Sequence, residues 1–207
     1  MVLGVDFDNT IVGYDEVFHR VALEQGLIPA GVTPDKVSVR RYLVGQGLED
    51  AWTEMQGLVY GERMLDAAPF PGVLDFFKRC RARGLDVFII SHRTRTPYRG
   101  PKYDLHQAAH RWLEYHGFYC PDGIGLGRDR VFFELTKGEK LARIAQVGCS
   151  HFIDDLPEIL GAAEFPAKVE RILFGSGSQN ALGQPFRRVA SWSEVESVVG
   201  GEGQGAA

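Results

Sequence analysis

The sequence predicts an α/β protein in which a doubly wound, Rossmann-like parallel sheet carries a small helical insertion. From residue 69 onward, short apolar segments alternate with amphipathic helical patterns. This alternation is typical of parallel strands joined by crossover helices. Before that point, residues 14–68 show helical periodicity and no convincing strand. With 207 residues and a hydrophobic content of 44%, the chain is long enough for one such domain and a modest insertion.

The first predicted element is a buried strand, Val2–Val5, that leads directly into a pair of acidic residues. Asp6 and Asp8 stand at positions i and i+2, so an extended chain presents both on one face. Asn9 and Thr10, which follow, favour a turn. Open α/β sheets bind their ligands at the carboxyl ends of the strands. The sequence therefore places two carboxylates where a ligand is expected, and their repulsion is tolerable if a cation lies between them or if one is protonated.

The insertion divides the chain into the predicted domains. Within it, helical patterns of apolar residues occupy 15–25, 35–44 and 48–65. An insertion of this length is much longer than a single connection between a strand and a helix needs. The predicted organisation is a core domain formed by residues 1–13 and 69–199, the helical insertion 14–68, and a disordered Gly-rich tail 200–207.

After the insertion, predicted strands and helices alternate to the end of the chain. The strands are expected at 85–91, 130–135, 151–153 and 169–174. The helices are expected at 73–83, 102–116, 137–147, 157–165 and 191–199. One strand ends at Ser91, and another ends in the acidic pair Asp154 and Asp155. Two acidic strand ends in one chain suggest a shared site for a hard cation with oxygen ligands.

Composition and charge restrict the classes of function. The net charge is −4 and the pI is about 5.9, so no broad basic surface is available for nucleic acid. The three cysteines lie far apart and in no metal-binding spacing, which predicts reduced thiols in a cytoplasmic protein. Because Asp6 interrupts the N-terminal apolar segment early and no basic residues precede it, we expect neither a signal peptide nor a membrane anchor.

Four segments together resemble the motifs of the haloacid dehalogenase (HAD) superfamily, in the order in which that family has them. Residues 6–10, Asp-Phe-Asp-Asn-Thr, resemble the first motif, DxDxT, and the hydrophobic strand 87–91, which ends in Ser, resembles the second. Lys137 or Lys140 corresponds to the lysine of the third motif, and residues 153–155 resemble the acidic fourth motif. The first and fourth motifs are specific, whereas the serine and the lysine carry weight only beside them.

The resemblance implies roles for the acidic residues and the serine. Asp6 is expected to be the nucleophile that forms an aspartyl-phosphate, and Asp8 the general acid and base. The implied cofactor is Mg²⁺, held by the carboxylates of Asp6 and Asp154 and by the main-chain carbonyl of Asp8, with Asp155 supporting it directly or through water. Ser91 is expected to donate a hydrogen bond to a phosphate oxygen.

Further candidates lie beside these residues. Asn9 and His92 are expected to join Ser91 in binding the phosphate. His92 also begins a basic segment, 92–102, that could bind an anionic part of the substrate or could face water, as charged segments usually do.

The active-site lysine is open between two positions. Lys137 stands at the start of the predicted helix and Lys140 one turn later. Lys140 is favoured because the apolar residue after it, Leu141, resembles the pattern of short family members. The chosen lysine would offset the negative charge shared by Asp6 and the phosphate.

The implied activity is that of a Mg²⁺-dependent phosphatase acting on a small phosphorylated metabolite, with residues 14–68 as a small α-helical cap. Asp8 favours phosphoryl transfer over carbon–halogen cleavage, because a departing halide needs no proton. A phosphomutase or phosphotransferase would use the same nucleophile and acid. A catalytically idle regulatory or binding module is a further alternative, although unused buried carboxylates would cost stability. We expect no nucleic-acid or membrane partner, and a monomer or homodimer.

Overall fold

The structure, a computed structural model, describes residues 1–175 and 186–201. Its strands are β1 (Val2–Val5), β2 (Val12–Gly13), β3 (Ala68–Pro69), β4 (Asp86–His92), β5 (Val131–Glu134), β6 (His151–Asp154), β7 (Glu170–Phe174) and β8 (Arg187–Val189). Its helices are α1 (Asp15–Glu24), α2 (Lys36–Gly45), α3 (Glu49–Tyr60), α4 (Val73–Ala82), α5 (Leu105–Tyr115), α6 (Lys137–Val147), α7 (Pro157–Leu160) and α8 (Trp192–Gly201), with 3₁₀ turns at Met64–Asp66 and Arg128–Arg130.

The main sheet is parallel throughout the described residues. Its strands lie in the order β5-β4-β1-β6-β7-β8, while β2 and β3 form a separate two-stranded sheet. The strand that precedes Asp6 is therefore flanked on both sides, and Leu3 of β1 lies opposite Val87 of β4 and His151 of β6. The predicted doubly wound α/β class is confirmed.

Helices α6 and α7 cover a buried apolar core of the main sheet. The core side chains include Ile90, Ile144, Phe152, Ile159 and Leu160. Burial of such side chains is the main favourable contribution to folding. In the described residues, every helix is too short or too polar to cross a lipid bilayer.

The chain divides into two compact units. The first contains residues 1–11, 69–92 and the described residues from 117 onward, and the second contains residues 12–68 and 93–116. The sequence had placed residues 93–116 with the core domain. In the structure this segment groups with the helical insertion because α5 packs against the 3₁₀ turn Met64–Asp66, and the Trp112 indole donates a hydrogen bond to the Ala67 carbonyl at 2.8 Å.

Smaller features also differ from the sequence expectation, and one is the short strand β3, which begins at Ala68 inside the segment 14–68 where no strand was expected. The edge strand β8 was not predicted, because its residues Arg187 and Arg188 carry no apolar alternation. Helix α7 ends at Leu160 rather than near residue 165. Helix α8 extends through Gly200 and Gly201, and the rest of the predicted disordered tail, 202–207, lies outside the described residues.

Candidate active site

Asp6 leaves the middle of the sheet and is almost fully enclosed. Its main-chain N–H donates to the Ile153 carbonyl at 2.8 Å, which continues the pairing of β1 with β6. The turn that follows is closed by a hydrogen bond from the Ile11 N–H to the Phe7 carbonyl at 3.0 Å. Asn9 adopts a φ of 55° in this turn, a left-handed conformation that asparagine tolerates better than most residues. Asp6 itself is only 4% exposed.

Ser91, on the strand next to β1, contacts the Asp6 side chain. It lies near the end of β4, whose partner on the inner side is β1. The buried hydroxyl donates to Asp6 Oδ1 at 2.8 Å. The parallel pairing of β1 and β4 thus brings together two side chains that are far apart in the sequence.

Lys140 reaches the same carboxylate from helix α6. The helix begins at a capping box, in which Thr136 and Glu139 satisfy each other's main-chain N–H groups, and ends at Gly148 in the left-handed conformation. The Lys140 ammonium is 1% exposed and donates to Asp6 Oδ1 and to Asp154 Oδ2, both at 2.6 Å. One cation therefore bridges two buried carboxylates.

Lys137, the alternative lysine, lies on the surface. Its side chain is 53% exposed and its ammonium is 3.6 Å from a carboxylate oxygen of Glu158. The structure therefore brings Lys140, and not Lys137, to Asp6.

The second acidic pair lies at the end of β6. Asp154 is fully buried, and its Oδ1 accepts a hydrogen bond from the Leu156 N–H at 3.0 Å. Asp6, Asp154 and Asp155 each offer a carboxylate oxygen within 4.8 Å of the others. Three converging hard oxygen donors fit Mg²⁺, which binds proteins through few carboxylates and keeps waters in its shell. Asp8 is half-buried and does not belong to this group of three, so its main-chain contribution stays a prediction.

Burial is the largest influence on the pKa values of Asp6 and Asp155. Burial raises the pKa of Asp6 to about 7, the Lys140 charge opposes this rise, and the charges of Asp154 and Asp8 add to it. Burial also raises the pKa of Asp155 to about 8, with further contributions from the charges of Asp6 and Asp154. For Lys140, burial lowers the pKa, but the charges of Asp6 and Asp154 outweigh it and leave the pKa above its ordinary value.

The structure shows one feature for each of two other predicted phosphate-binding residues, a contact of the His92 ring and the backbone conformation of Asn9. His92 is half-buried, and its Nε2 lies 3.1 Å from the Leu135 carbonyl, in the segment that leads into α6. Asn9 takes part in the turn after Asp6 through its backbone conformation. A contact of either side chain with phosphate stays a prediction.

The arginines of the basic segment 92–102 differ in exposure and therefore do not form one basic surface. Arg95 and Arg99 are exposed and form ion pairs, with Asp104 at 3.1 Å and with Asp50 at 2.9 Å respectively. Arg93 is instead buried, and it donates to the Tyr60 carbonyl at 2.9 Å and to the Leu105 carbonyl at 3.1 Å. A sequence pattern of alternating charged and polar residues gives no signal that one of these arginines is enclosed.

Thr10 is a site residue that sequence reasoning did not single out. Its side chain is fully buried, and its hydroxyl points to Asp6 Oδ2 at 3.5 Å. The sequence signal for Thr10 is its place as the last residue of the DxDxT segment, but a threonine there also favours a turn, and that tendency alone predicts no contact with Asp6.

Comparison with solved structures identifies related folds. A HAD-family hydrolase from Deinococcus radiodurans, whose structure holds phosphate and sodium, is similar with a TM-score of 0.60 and 15% identity over 98% of this chain and 96% of the other. A predicted phosphatase from Clostridium acetobutylicum has a TM-score of 0.60 and 15% identity over 96% of this chain and 97% of the other.

A third similar structure carries a different activity in its name. Protein tyrosine kinase A from Mycobacterium tuberculosis has a TM-score of 0.65 and 15% identity, over 96% of this chain and 97% of the other. No model of a protein family matches the chain, and no curated protein matches its sequence. At identities this low, the structural similarities establish the fold alone.

Proposed function

We propose that this chain, whose fold is that of the HAD superfamily, is a Mg²⁺-dependent phosphatase that acts on a small phosphorylated metabolite through an aspartyl-phosphate on Asp6. The observation that carries the proposal is the environment of one carboxylate. Asp6 Oδ1 accepts short hydrogen bonds from Lys140 at 2.6 Å and from Ser91 at 2.8 Å, beside the carboxylates of Asp154 and Asp155.

The hydrogen bonds of Asp6 favour one of its oxygens as the nucleophile. Both short bonds go to Oδ1, whereas Oδ2 has a long contact with the Thr10 hydroxyl at 3.5 Å. We assign the attack on phosphorus to Oδ2, since the donors at Oδ1 hold the carboxylate in a fixed orientation while leaving the other oxygen less engaged.

Asp8 moves the protons of the two half-reactions. When Asp6 attacks phosphorus, the bond between phosphorus and the ester oxygen breaks, and the Asp8 carboxylic acid gives its proton to the leaving alkoxide. The Asp8 carboxylate then accepts a proton from water as that water attacks the phosphorus of the aspartyl-phosphate. The bond between phosphorus and Asp6 breaks, and inorganic phosphate leaves with both active-site acids regenerated.

Lys140 and Ser91 reduce the repulsion between a negatively charged phosphate and a carboxylate. The raised pKa keeps Lys140 cationic throughout the ordinary pH range, so its charge is present in both half-reactions. Ser91 supplies a hydroxyl next to the same oxygen, and a hydroxyl can turn its hydrogen towards a phosphate oxygen.

The acidic group fits the metal that the family resemblance implies. Asp6, Asp154 and Asp155 would hold Mg²⁺, with the main-chain carbonyl of Asp8 as a further ligand. When bound, the ion neutralises negative charge at the phosphate and orients it.

A phosphotransferase is the second candidate, and one comparison favours it. The similar structure with a TM-score of 0.65 is a protein tyrosine kinase by name, so this fold also occurs in a protein named for phosphoryl transfer to an acceptor. A phosphomutase belongs to the same class of reaction. An idle binding module is disfavoured because Lys140 and two carboxylates are held together in a buried cluster, an arrangement that costs desolvation.

Three broader expectations belong to the proposal. Residues 14–68 are proposed to act as the cap that controls substrate access, on the strength of the family resemblance. A cytoplasmic location is supported by the cysteines, since Cys80, Cys120 and Cys149 are all free thiols. The chain is proposed to act as a monomer or homodimer without nucleic acid or membrane.

The test is a panel of phosphate monoesters, including p-nitrophenyl phosphate, with Mg²⁺ and with excess EDTA. We expect release of inorganic phosphate that requires Mg²⁺ and that is lost in Asp6→Asn. Undiminished turnover in EDTA, or full activity of Asp6→Asn, would contradict the mechanism. Phosphate transferred to an added acceptor, with little released to water, would instead support the phosphotransferase.

A further inference from the structure

A tryptophan near the C-terminus contacts the turn that carries Asp8. Trp192 is the first residue of α8 and is 1% exposed. Its indole Nε1 donates to the main-chain carbonyl of Thr10 at 3.2 Å, across 182 positions of sequence. Both partners are buried, and a carbonyl that is withdrawn from water depends on its protein donors.

Local structure at the start of α8 fixes the position of this indole. The Ser191 hydroxyl accepts from the Glu194 N–H at 3.3 Å, and the Glu194 carboxylate accepts from the Ala190 N–H at 2.9 Å. These reciprocal bonds satisfy N–H groups at the beginning of the helix. Arg79 of α4 adds an ion pair with Glu196 at 2.6 Å.

The ring of Trp192 has a second role that is separable from its N–H. Aromatic rings surround it, with centroid distances of 4.9 Å to Phe76, 5.5 Å to Phe174 and 6.3 Å to Phe77. Phenylalanine at position 192 would keep an aromatic ring in this cluster. It would lose the hydrogen bond to Thr10 and the volume of the second indole ring.

The turn from Asp6 to Ile11 needs support from outside. It holds Asn9 at a positive φ of 55°, and its internal hydrogen bonds include the one from the Ile11 N–H to the Phe7 carbonyl at 3.0 Å. A residue in a sparsely populated backbone conformation persists when the surrounding structure determines it. The indole of Trp192 supplies such a contact at Thr10, two positions after Asp8.

We propose that Trp192 is a positioning residue, whose indole N–H holds the turn after Asp6 so that Asp8 is aligned with the leaving group. The proposal rests on the proposed phosphatase activity. It requires that loss of the N–H affects the proton-transfer step more than substrate binding, since Ser91 and Lys140 lie on β4 and α6 and keep their positions when the turn that carries Asp8 shifts.

The test compares Trp192→Phe with a matched control, Trp112→Phe. Trp112 is also fully buried, and its indole also donates to a main-chain carbonyl, that of Ala67, at 2.8 Å. Both changes remove the same atoms and one buried hydrogen bond. The hydrogen bond lost in Trp192→Phe goes to the turn beside Asp8, whereas the one lost in Trp112→Phe goes to Ala67.

We expect Trp192→Phe to lower kcat for an alkyl phosphate about 10-fold with KM changed less than about twofold. The loss of kcat should be smaller for p-nitrophenyl phosphate, whose phenolate leaves without a proton. Trp112→Phe should lower Tm to a similar degree and leave the ratio of alkyl to aryl kcat unchanged. If the ratio also stays unchanged in Trp192→Phe, then Trp192 is a core residue only.

Amide hydrogen exchange tests the same idea without turnover. The Ile11 N–H should exchange at least about 10-fold faster in Trp192→Phe and at the native rate in Trp112→Phe. If the native chain hydrolyses no ester, the proposed function fails, yet this exchange rate still decides whether Trp192 holds the turn. Native exchange at Ile11 would overturn the proposal. If Trp192→Phe does not fold, Ser191→Ala loosens the start of α8, keeps the indole and should show a smaller change in the same direction.

Discussion

Lys140 and Asp6 form a buried ion pair, with 2.6 Å between Nζ and Oδ1, across 134 positions of sequence. The same ammonium contacts Asp154 at the same distance. Removing one partner of a buried ion pair is far more damaging than breaking a surface pair, because the charge left behind is not solvated. This difference separates the two candidate lysines experimentally.

Lys140→Ala is expected to abolish most activity and to destabilise the protein. We expect kcat/KM to fall by about 10²-fold or more and the free energy of unfolding to fall by about 3–5 kcal/mol. Lys137→Ala is the control, since its exposed pair with Glu158 at 3.6 Å should contribute less than about 1 kcal/mol. Comparable losses in the two variants would refute the assignment of Lys140.

Asp154→Asn is expected to remove Mg²⁺ binding. Mg²⁺ should raise the Tm of the native chain, because a ligand that binds only the folded state stabilises it. The variant should show little of this increase and little activity, since one carboxylate ligand is lost. Asp86→Asn is the matched control, because Asp86 forms a surface pair with Arg130 at 2.7 Å and belongs to no acidic group of the site. An equal Mg²⁺ response in Asp154→Asn and the native chain would rule out Asp154 as a ligand.

Asp8→Asn is expected to affect alkyl and aryl esters differently. An alkoxide needs a proton to leave, so hydrolysis of alkyl phosphates should fall by about 10²–10⁴-fold. The first step with p-nitrophenyl phosphate should fall less, and the aspartyl-phosphate should accumulate because the base for the second step is missing. A burst of p-nitrophenolate and trapping of phosphate on Asp6 measure these effects. Equal losses for both ester types, with no trapped intermediate, would show that Asp8 has another role.

In EDTA, the contribution of Asp155 to the free energy of unfolding is expected to fall as the pH rises from about 5 to about 8. The pKa of Asp155 is about 8 in the folded state against an ordinary value of 3.8. Between these values the folded state binds more protons than the unfolded state, so a rise in pH favours unfolding. The lowered pKa of His116 acts in the opposite direction.

Comparison with Asp155→Asn isolates the acid from the histidine. Urea unfolding at pH 5 and pH 8 should show that this variant loses less stability, or gains more, than the native chain over the same interval. Added Mg²⁺ should shrink the difference, because a cation next to the carboxylate lowers its pKa. An identical pH dependence in the two proteins would argue against a raised pKa at Asp155.

The elements that the sequence predicted well are those with strong local signals. Helix α6 has the predicted bounds, 137–147, because Thr136 and Glu139 mark its start and Gly148 its end. The direction of its side chains brings Lys140, and not Lys137, to Asp6, whereas the sequence left both positions open. Asp6, Asp154 and Asp155 converge as expected because they follow apolar strands that share one edge of the sheet.

The elements that were missed depend on contacts between distant segments. Nothing in residues 93–116 indicates that α5 groups with the helical insertion, because an amphipathic pattern shows that a face is buried but not what covers it. The burial of Arg93 depends on the carbonyls of Tyr60 and Leu105, which only the folded chain brings to it. The contact of Trp192 with Thr10 has no sequence signal for the same reason.

The strand order has a consequence for how the chain is made. Strand β1 precedes the other described strands of the main sheet in the sequence, yet it lies between β4 and β6, which end at His92 and Asp154. The N–H and C=O groups of this apolar strand therefore stay without either neighbouring strand until β4 and β6 have been synthesised. Such non-local pairing slows folding and leaves an open edge available for aggregation. The Asp6 carboxylate therefore acquires its contacts with Ser91 and Lys140 only after synthesis has passed α6.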